Sequence, residues 1–247
     1  MQNVLINKPK MIIFDYGQTL IQEERFDGIA GTKAVLEKCV ENPNGITAEE
    51  VQEFANELNK DIGRYDPETR SSFLLEVHNH PFQNYLYDYF GLKRITSPLE
   101  LETVFWDSAS PGKPTEHIKE FLAYLESRNI RSAAISNIAM SGQALENRIK
   151  ALLPANSFEF IIASSEYVFR KPHRRIFEIA AKKAQLEASD FWYCGDDVVC
   201  DVDGAKAAGL FSIWYKGAYE GKELTPKDEY LTILDWIELK EKLDELL

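Results

Sequence analysis

The sequence predicts an α/β fold: a Rossmann-like, doubly wound parallel sheet with an α-helical block inserted near its start. Three observations carry that expectation. After residue 114, short apolar runs alternate with stretches of helical period, the pattern of parallel strands joined by covering helices. A further apolar run, residues 11–14, stands near the N terminus and leads straight into the carboxylate of Asp15. Between the two, residues 24–108 repeat apolar side chains at helical spacing with few β-branched runs. The expected division is a core of residues 1–22 and 109–247, with residues 23–108 forming a helical cap over the strand tips.

Each element has a local reason. Residues 1–10 are a polar lead-in to a strand over 11–15, and residues 17–21 suit a tight turn and short flap. In the inserted block, Ala34, Val35, Cys39 and Val40 share one helical face. Thr47 and Glu50 make a capping-box pattern ahead of Val51, Phe54, Ala55, Leu58 and Ile62. Phe73, Leu74 and Val77 predict a third helix. Pro81 opens a fourth, which Gly91 closes, and Ser97 with Pro98 starts a fifth. Residues 110–114, rich in Pro and Gly, read as a hinge. Beyond it come a helix carrying Ile118, Phe121, Leu122 and Leu125, a strand over 130–135, a helix over 141–152 and a strand over 158–162. Lys171 and Pro172 lead a helix carrying Ile176, Phe177, Ile179 and Ala180. A strand over 191–194 runs into Gly195, Asp196 and Asp197. A short helix over 202–208 closes at Gly209, a last strand spans 211–214, and a terminal helix spans 231–247.

Composition narrows the class. A chain of 247 residues, 45% hydrophobic, buries a core large enough to need no staple. The net charge of −12 repels nucleic-acid backbones and anionic lipid, so neither is an expected partner. The three cysteines, Cys39, Cys194 and Cys200, are odd in number and lack C-x-x-C spacing, which suits reduced thiols rather than a disulfide framework or zinc site. With no leader pattern and no apolar run of membrane length, the expectation is a soluble cytoplasmic protein. Nothing in the sequence sets an oligomeric state.

Unusual polar residues follow four strands or open helices: Asp15, then Ser136 and Asn137, then Lys171, then Asp196 and Asp197 with Asp201. In a doubly wound sheet these positions converge on one crevice. A carboxylate there can act as a nucleophile on phosphorus. Attack by one anion on another needs charge neutralisation, which Mg2+ supplies through hard oxygen ligands. Asp15 and Asp196 are two such ligands, and Asp197 or Asp201 could orient a metal-bound water. Lys171 offers a compact cation, and Ser136 and Asn137 offer hydrogen-bond donors, to a phosphoryl group. Each of these residues alone has a bland reading as a turn, cap or surface charge; the ordered set carries the signal.

These stretches resemble the haloacid dehalogenase superfamily, in the branch with a helical cap inserted after the first motif. Residues 12–15 (Ile-Ile-Phe-Asp), 133–137 (Ala-Ala-Ile-Ser-Asn), 170–172 (Arg-Lys-Pro) and 194–205, opening Cys-Gly-Asp-Asp, match its four motifs, and the fourth is the most specific. The resemblance implies a Mg2+-dependent phosphatase acting on a small phosphorylated metabolite through an aspartyl-phosphate. It implies Asp15 as nucleophile, Ser136, Asn137 and Lys171 around the phosphate, and Asp15, Asp196 and the Gly17 carbonyl around the metal. Thr19, Asp197 and Asp201 would support that shell.

One position departs from the family pattern. Gly17 stands where a second Asp usually protonates the leaving group and activates water. Its backbone carbonyl remains available to a metal, but acid–base help, typically worth about 100- to 10,000-fold, must come from elsewhere. His78 and His80 are candidates from the cap. The departure also admits a dehalogenase, a phosphonate hydrolase using a cap lysine (Lys33, Lys38 or Lys60), or a non-catalytic phosphate binder. Tyr16, Gln18, Arg64, Tyr65, Arg70 and His80 are candidate specificity residues.

Overall fold

Strand β1 (Met11–Phe14) is buried at every residue, and its alternation feeds two separate cores. Ile12 and Phe14 face one layer, Met11 and Ile13 the other. The computed structural model describes residues 7–64, 74–218 and 230–246. After β1 the chain turns at Gln18, which adopts a left-handed φ of 53°, and enters β2 (Ile21–Glu23). The Gln18 side-chain amide donates to the Glu23 carbonyl at 2.9 Å, fixing the flap.

The insertion then follows as α1 (Gly28–Lys38), β3 (Val40–Glu41), α2 (Ala48–Asp61), α3 (Asn79–Tyr89), β4 (Lys93–Arg94) and α4 (Pro98–Ala109). It has its own core, around Val35, Val51, Ala55, Leu86 and Leu101. The chain leaves it through β5 (Gly112–Pro114), which pairs antiparallel with β2. Both crossings between the helical block and the sheet are therefore tied into one ribbon, where the Pro- and Gly-rich residues 110–114 predicted only a hinge.

The rest alternates: α5 (Ile118–Ser127), β6 (Arg131–Ser136), α6 (Gly142–Leu152), β7 (Ile161–Ala163), α7 (Arg174–Ala184), β8 (Phe191–Gly195), α8 (Gly204–Ala207), β9 (Phe211–Tyr215), β10 (Leu231–Ile233) and α9 (Trp236–Asp244). The sheet order is β10-β9-β8-β1-β6-β7, with every pair parallel. The chain builds β6 and β7 on one side of β1, then crosses to build β8, β9 and β10 on the other. That reversal opens a crevice at the carboxyl ends of β1, β6 and β8. Helices α5, α6 and α9 cover the face of Ile12 and Phe14, and α7 and α8 cover the opposite face. Among the described residues, no helix is long and apolar enough to cross a membrane.

Local chemistry explains most boundaries. Thr47 and Glu50 form the reciprocal capping box of α2; Ser97 caps α4, with Pro98 in its first turn. Gly91 takes a φ of 65° after α3.

Several expectations are corrected. Cys39 ends α1, and Val40 lies in β3 instead of continuing the helix. The third helix is not formed by the described residues after Phe73, which itself lies outside them. Leu75 bridges Phe169, and the Glu76 amide donates to the Val168 carbonyl at 2.6 Å, so strand-like pairing overrides the local period. Helix α3 starts at Asn79, ahead of Pro81. The strand expected over 158–162 is Ile161–Ala163. A π-helical turn, Val198–Asp203, precedes α8. Residues 231–246 are a strand then a helix, because Asp235 caps α9 through the Ile237 amide at 2.7 Å. Strand β10 thus lies at the sheet edge beyond β9, and Leu247 is outside the described residues.

Candidate active site

Asp15 stands at the tip of β1, with its amide donating to the Cys194 carbonyl of β8 at 2.8 Å. Asp196 follows β8 directly, and Asp201 projects from the π-helical turn. One carboxylate oxygen from each of these three lies within 4.8 Å of the others. Gly195 makes that approach possible, because a Cβ there would collide with the Asp201 side chain. Lys171, 2% exposed, threads into the cluster. Its ammonium donates to Asp15 Oδ1 at 2.5 Å, Asp201 Oδ1 at 2.6 Å, the Tyr193 hydroxyl at 2.8 Å and the Ile135 carbonyl at 3.2 Å.

The electrostatics are unbalanced. Burial pushes the Asp196 carboxyl up to about 9, reinforced by Asp15 and Asp201. Burial pushes Asp201 up to about 7, against the pull of Lys171. Burial raises Asp15 as well, again opposed by Lys171. For Lys171, burial works against its charge, but the two facing carboxylates outweigh it and hold the ammonium above the usual lysine range. Lys171 thus pairs with two of the three clustered acids, in a site that penalises each unpaired charge.

The donor set fits a hard divalent cation such as Mg2+. The groups are carboxylate oxygens, they cluster, and burial together with their mutual repulsion raises Asp196 and Asp201 in a way that a bound cation would oppose.

The crevice has a volume of about 510 Å³ and is lined by Asp15, Gly17, Glu23, Ser136, Asn137, Arg170, Lys171, Asp196, Asp197 and Asp201, among others. The predicted residues therefore meet in one place, though not always in the expected attitude. Asp201, expected behind the metal shell, is one of the three clustered acids. Asp197 instead caps the π-helical turn, accepting from the Val199 and Cys200 amides at 2.9 and 2.8 Å. Thr19 reaches Asp196 Oδ1 at 3.4 Å. The Asn137 side chain clamps the Lys171 backbone, donating to its carbonyl at 2.8 Å and accepting from its amide at 2.7 Å. No helix starts at Asn137, since α6 begins at Gly142, and α7 begins at Arg174 rather than at Lys171.

The cap histidines are engaged elsewhere. His78 caps α3 through the His80 amide at 3.0 Å, and His80 contacts the buried Glu102 at 2.9 Å. Neither lines the crevice. Tyr16 and Gln18 border it, but Arg64 does not, its guanidinium donating to the Val77 carbonyl at 2.6 Å. Tyr65 and Arg70 lie outside the described residues.

Two groups at the site escaped the sequence reading. Tyr193 reads as a core aromatic in a strand, yet its hydroxyl bonds both Lys171 and Asp201. Glu23 reads as a solvated flap acid, yet burial raises its carboxyl and Arg148 opposes that rise. Its Oε1 accepts from Trp106 Nε1 at 3.0 Å and lies 3.5 Å from Arg148. Its Oε2 would stand 3.6 Å from a Cβ on Gly17. A carboxylate reaching in from β2 therefore occupies the neighbourhood that Gly17 leaves open.

The chain is similar to known proteins along most of its length. The family model described as haloacid dehalogenase-like hydrolase matches residues 12–215. A glyceraldehyde 3-phosphate phosphatase of Methanocaldococcus jannaschii is 24% identical over 90% of each chain. The structure of a 2-haloacid dehalogenase from Pseudomonas syringae superposes with a TM-score of 0.64 at 20% identity, covering 97% of this chain and 100% of that one. A magnesium-bound HAD-hydrolase from Bacillus subtilis superposes with a TM-score of 0.58 at 16% identity, over 96% and 100% of the two chains. Matched along most of its length, and carrying the acids at its strand tips, this chain belongs to the haloacid dehalogenase-like hydrolase family and is a hydrolase.

Proposed function

We propose that the protein is a Mg2+-dependent phosphomonoester hydrolase acting on a small phosphorylated metabolite, with Asp15 as its nucleophile. The observation that carries this reading is the cluster of buried Asp15, half-buried Asp196 and buried Asp201, with the Lys171 ammonium paired to Asp15 and Asp201. Such a set suits a site that receives a divalent cation and a phosphoryl group together. The similarity to an archaeal phosphatase supports phosphate ester over carbon–halogen chemistry.

In this reading Asp15 attacks phosphorus, the Asp15 oxygen–phosphorus bond forms, and the ester oxygen leaves with the bonding pair. Glu23, beside Gly17, gives that oxygen its proton and takes one from the water that then attacks phosphorus. Phosphate departs and Asp15 is restored. Lys171 holds Asp15 in place and, with Ser136 and Asn137, faces the phosphoryl oxygens. Asp15, Asp196 and the Gly17 carbonyl would hold Mg2+, with Thr19, Asp197 and Asp201 around them; the ion would neutralise charge on the phosphoryl group. The helical block of residues 23–108 acts as the cap that excludes water and selects the substrate.

A dehalogenase is the second reading, favoured only by Gly17; the crowded Asp196 and Asp201 give a metal-free site no advantage. The test is phosphate release from a panel of small phosphomonoesters, in Mg2+ and in EDTA, with wild type beside Asp15→Asn. Release that needs both Mg2+ and Asp15 supports the proposal. Equal release by the two proteins removes Asp15 from the chemistry. Binding of Mg2+ and phosphate with no turnover of any ester would favour the non-catalytic reading.

A further inference from the structure

Arg148 does not line the crevice, yet it touches each group that holds Glu23 there. It projects from α6 and is 8% exposed. Its Nε donates to the Tyr16 hydroxyl at 2.8 Å. Its two terminal nitrogens donate to Asp107, in the last turn of α4, and to the Ser110 carbonyl just beyond it. The guanidinium carbon stands 4.5 Å from the centre of the Trp106 ring, and one terminal nitrogen lies 3.5 Å from Glu23 Oε1. One buried side chain of the core therefore joins the residue after Asp15, the flap strand β2 and the end of helix α4.

The direction of each proton at Glu23 follows from the donors. A guanidinium can only donate, so the Tyr16 hydroxyl accepts from Arg148 and turns its own proton to Glu23 Oε1, 3.4 Å away. Trp106 Nε1 also only donates, and it reaches the same oxygen at 3.0 Å. Tyr16, Trp106 and Arg148 thus gather on Oε1. Among the described residues no donor is bonded to Oε2, the oxygen that stands nearest Gly17. A two-pronged arginine–carboxylate pair would occupy both oxygens. Here the guanidinium is taken up by Tyr16, Asp107 and Ser110, and only its edge faces Glu23.

We propose that Arg148 is a positioning residue: directly, and through Tyr16 and Trp106, it fixes Glu23 Oε1 so that Oε2 is aimed at the leaving-group oxygen. The proposal rests on the phosphatase reading with Glu23 as acid and base, and adds what aims that carboxylate. A glutamate side chain is long and rotamer-rich, and a misplacement of about 1 Å can cost roughly 100-fold in rate. Arg148 removes that freedom. Because Trp106 and Asp107 belong to α4, Glu23 is aimed only while this cap helix lies against α6.

The test compares kcat for an alkyl phosphate, whose leaving group needs a proton, with kcat for p-nitrophenyl phosphate, whose leaving group does not. A variant that merely folds less well lowers both and leaves their ratio where it was. Arg148→Met lowers the alkyl-to-nitrophenyl ratio about 10- to 100-fold. Tyr16→Phe, which deletes one oxygen, lowers it about 2- to 10-fold and decides alone if Arg148→Met does not fold. In a Glu23→Gln background neither substitution lowers the ratio further. Suppose Glu23→Gln lowers the ratio while neither variant does, or both lower it as much with Glu23 already replaced. The positioning role of Arg148 is then overturned and the phosphatase reading stands. A ratio that Glu23→Gln does not move, or a wild type that hydrolyses p-nitrophenyl phosphate and no alkyl phosphate, removes Glu23 as the acid and this proposal with it. Absence of phosphate release from every ester overturns the phosphatase reading as well.

Discussion

Replacing Lys171 by Met removes the one ammonium that holds Asp15 and Asp201 together. Lys171 is 2% exposed, and Met brings no charge to take the place of its ammonium. Breaking a buried ion pair by deleting one partner costs about 3–5 kcal/mol. In a chain of this size each kcal/mol moves Tm by roughly 2–4 °C, so the loss is about 6–20 °C. The effect must depend on pH, and its sign follows from the acids left behind. Burial already raises Asp15, and raises Asp201 to about 7; without the ammonium both rise further. An acid with a raised folded value contributes its stability in the protonated form and loses it as pH climbs through that value. The gap between wild type and Lys171→Met is therefore smaller near about pH 5, where Asp201 is protonated in both proteins, and larger near about pH 9, past the wild-type value of about 7. Thermal unfolding followed by circular dichroism, in EDTA to exclude a substituting cation, reads both. A variant as stable as wild type at the higher pH, or equally destabilised at both, would refute the reasoning.

Three further outcomes follow from the same cluster. Asp196→Asn removes a carboxyl that must take up a proton to be buried at neutral pH, so it raises metal-free stability by about 0.5–2 kcal/mol and abolishes the Mg2+-induced rise in Tm; a retained Mg2+ response counts against Asp196 as a ligand. Mg2+ affinity by calorimetry increases up to about tenfold per pH unit from about pH 6 to 9, as protons leave Asp201 and then Asp196, and a flat profile contradicts the shared site. Glu23→Gln lowers kcat about 100- to 10,000-fold for alkyl phosphates but much less for p-nitrophenyl phosphate, whose leaving group needs no proton. Equal losses on both would make Glu23 a positioning residue for Arg148 and Trp106.

What the sequence made legible was set by how local the physics is. Asp15 and Asp196 could be placed because each directly follows an apolar run that can only be a buried strand. Asp201 was placed as a supporting residue, because its closeness to Asp15 depends on a π-helical turn with no period of its own. Lys171 was found as a cation, but its grip on Asp201 arises from tertiary folding across 30 residues. Tyr193 was hidden by its type, since an aromatic in a strand reads as core. Glu23 was hidden by its place, since an acid in a flap reads as solvated until Arg148 and Trp106 are brought against it. His78 and His80 could be named only as candidates for the converse reason: the partners that hold them away from the crevice, Glu166 and Glu102, are distant in sequence. The helix expected at Leu74 and the uninterrupted terminal helix failed because short pairings, Leu75 with Phe169 and β10 with β9, leave almost no periodic trace.

The central claim is that the Asp15 carboxylate takes the phosphoryl group. Its most direct measurement is rapid acid quench of the enzyme with Mg2+ and a turned-over ester, followed by peptide mass spectrometry. The account predicts a peptide spanning Asp15 that carries one added phosphoryl group, lost on treatment with hydroxylamine and absent from Asp15→Asn. A phosphoryl group found on another residue, or turnover with Asp15 never modified under quench, would contradict it.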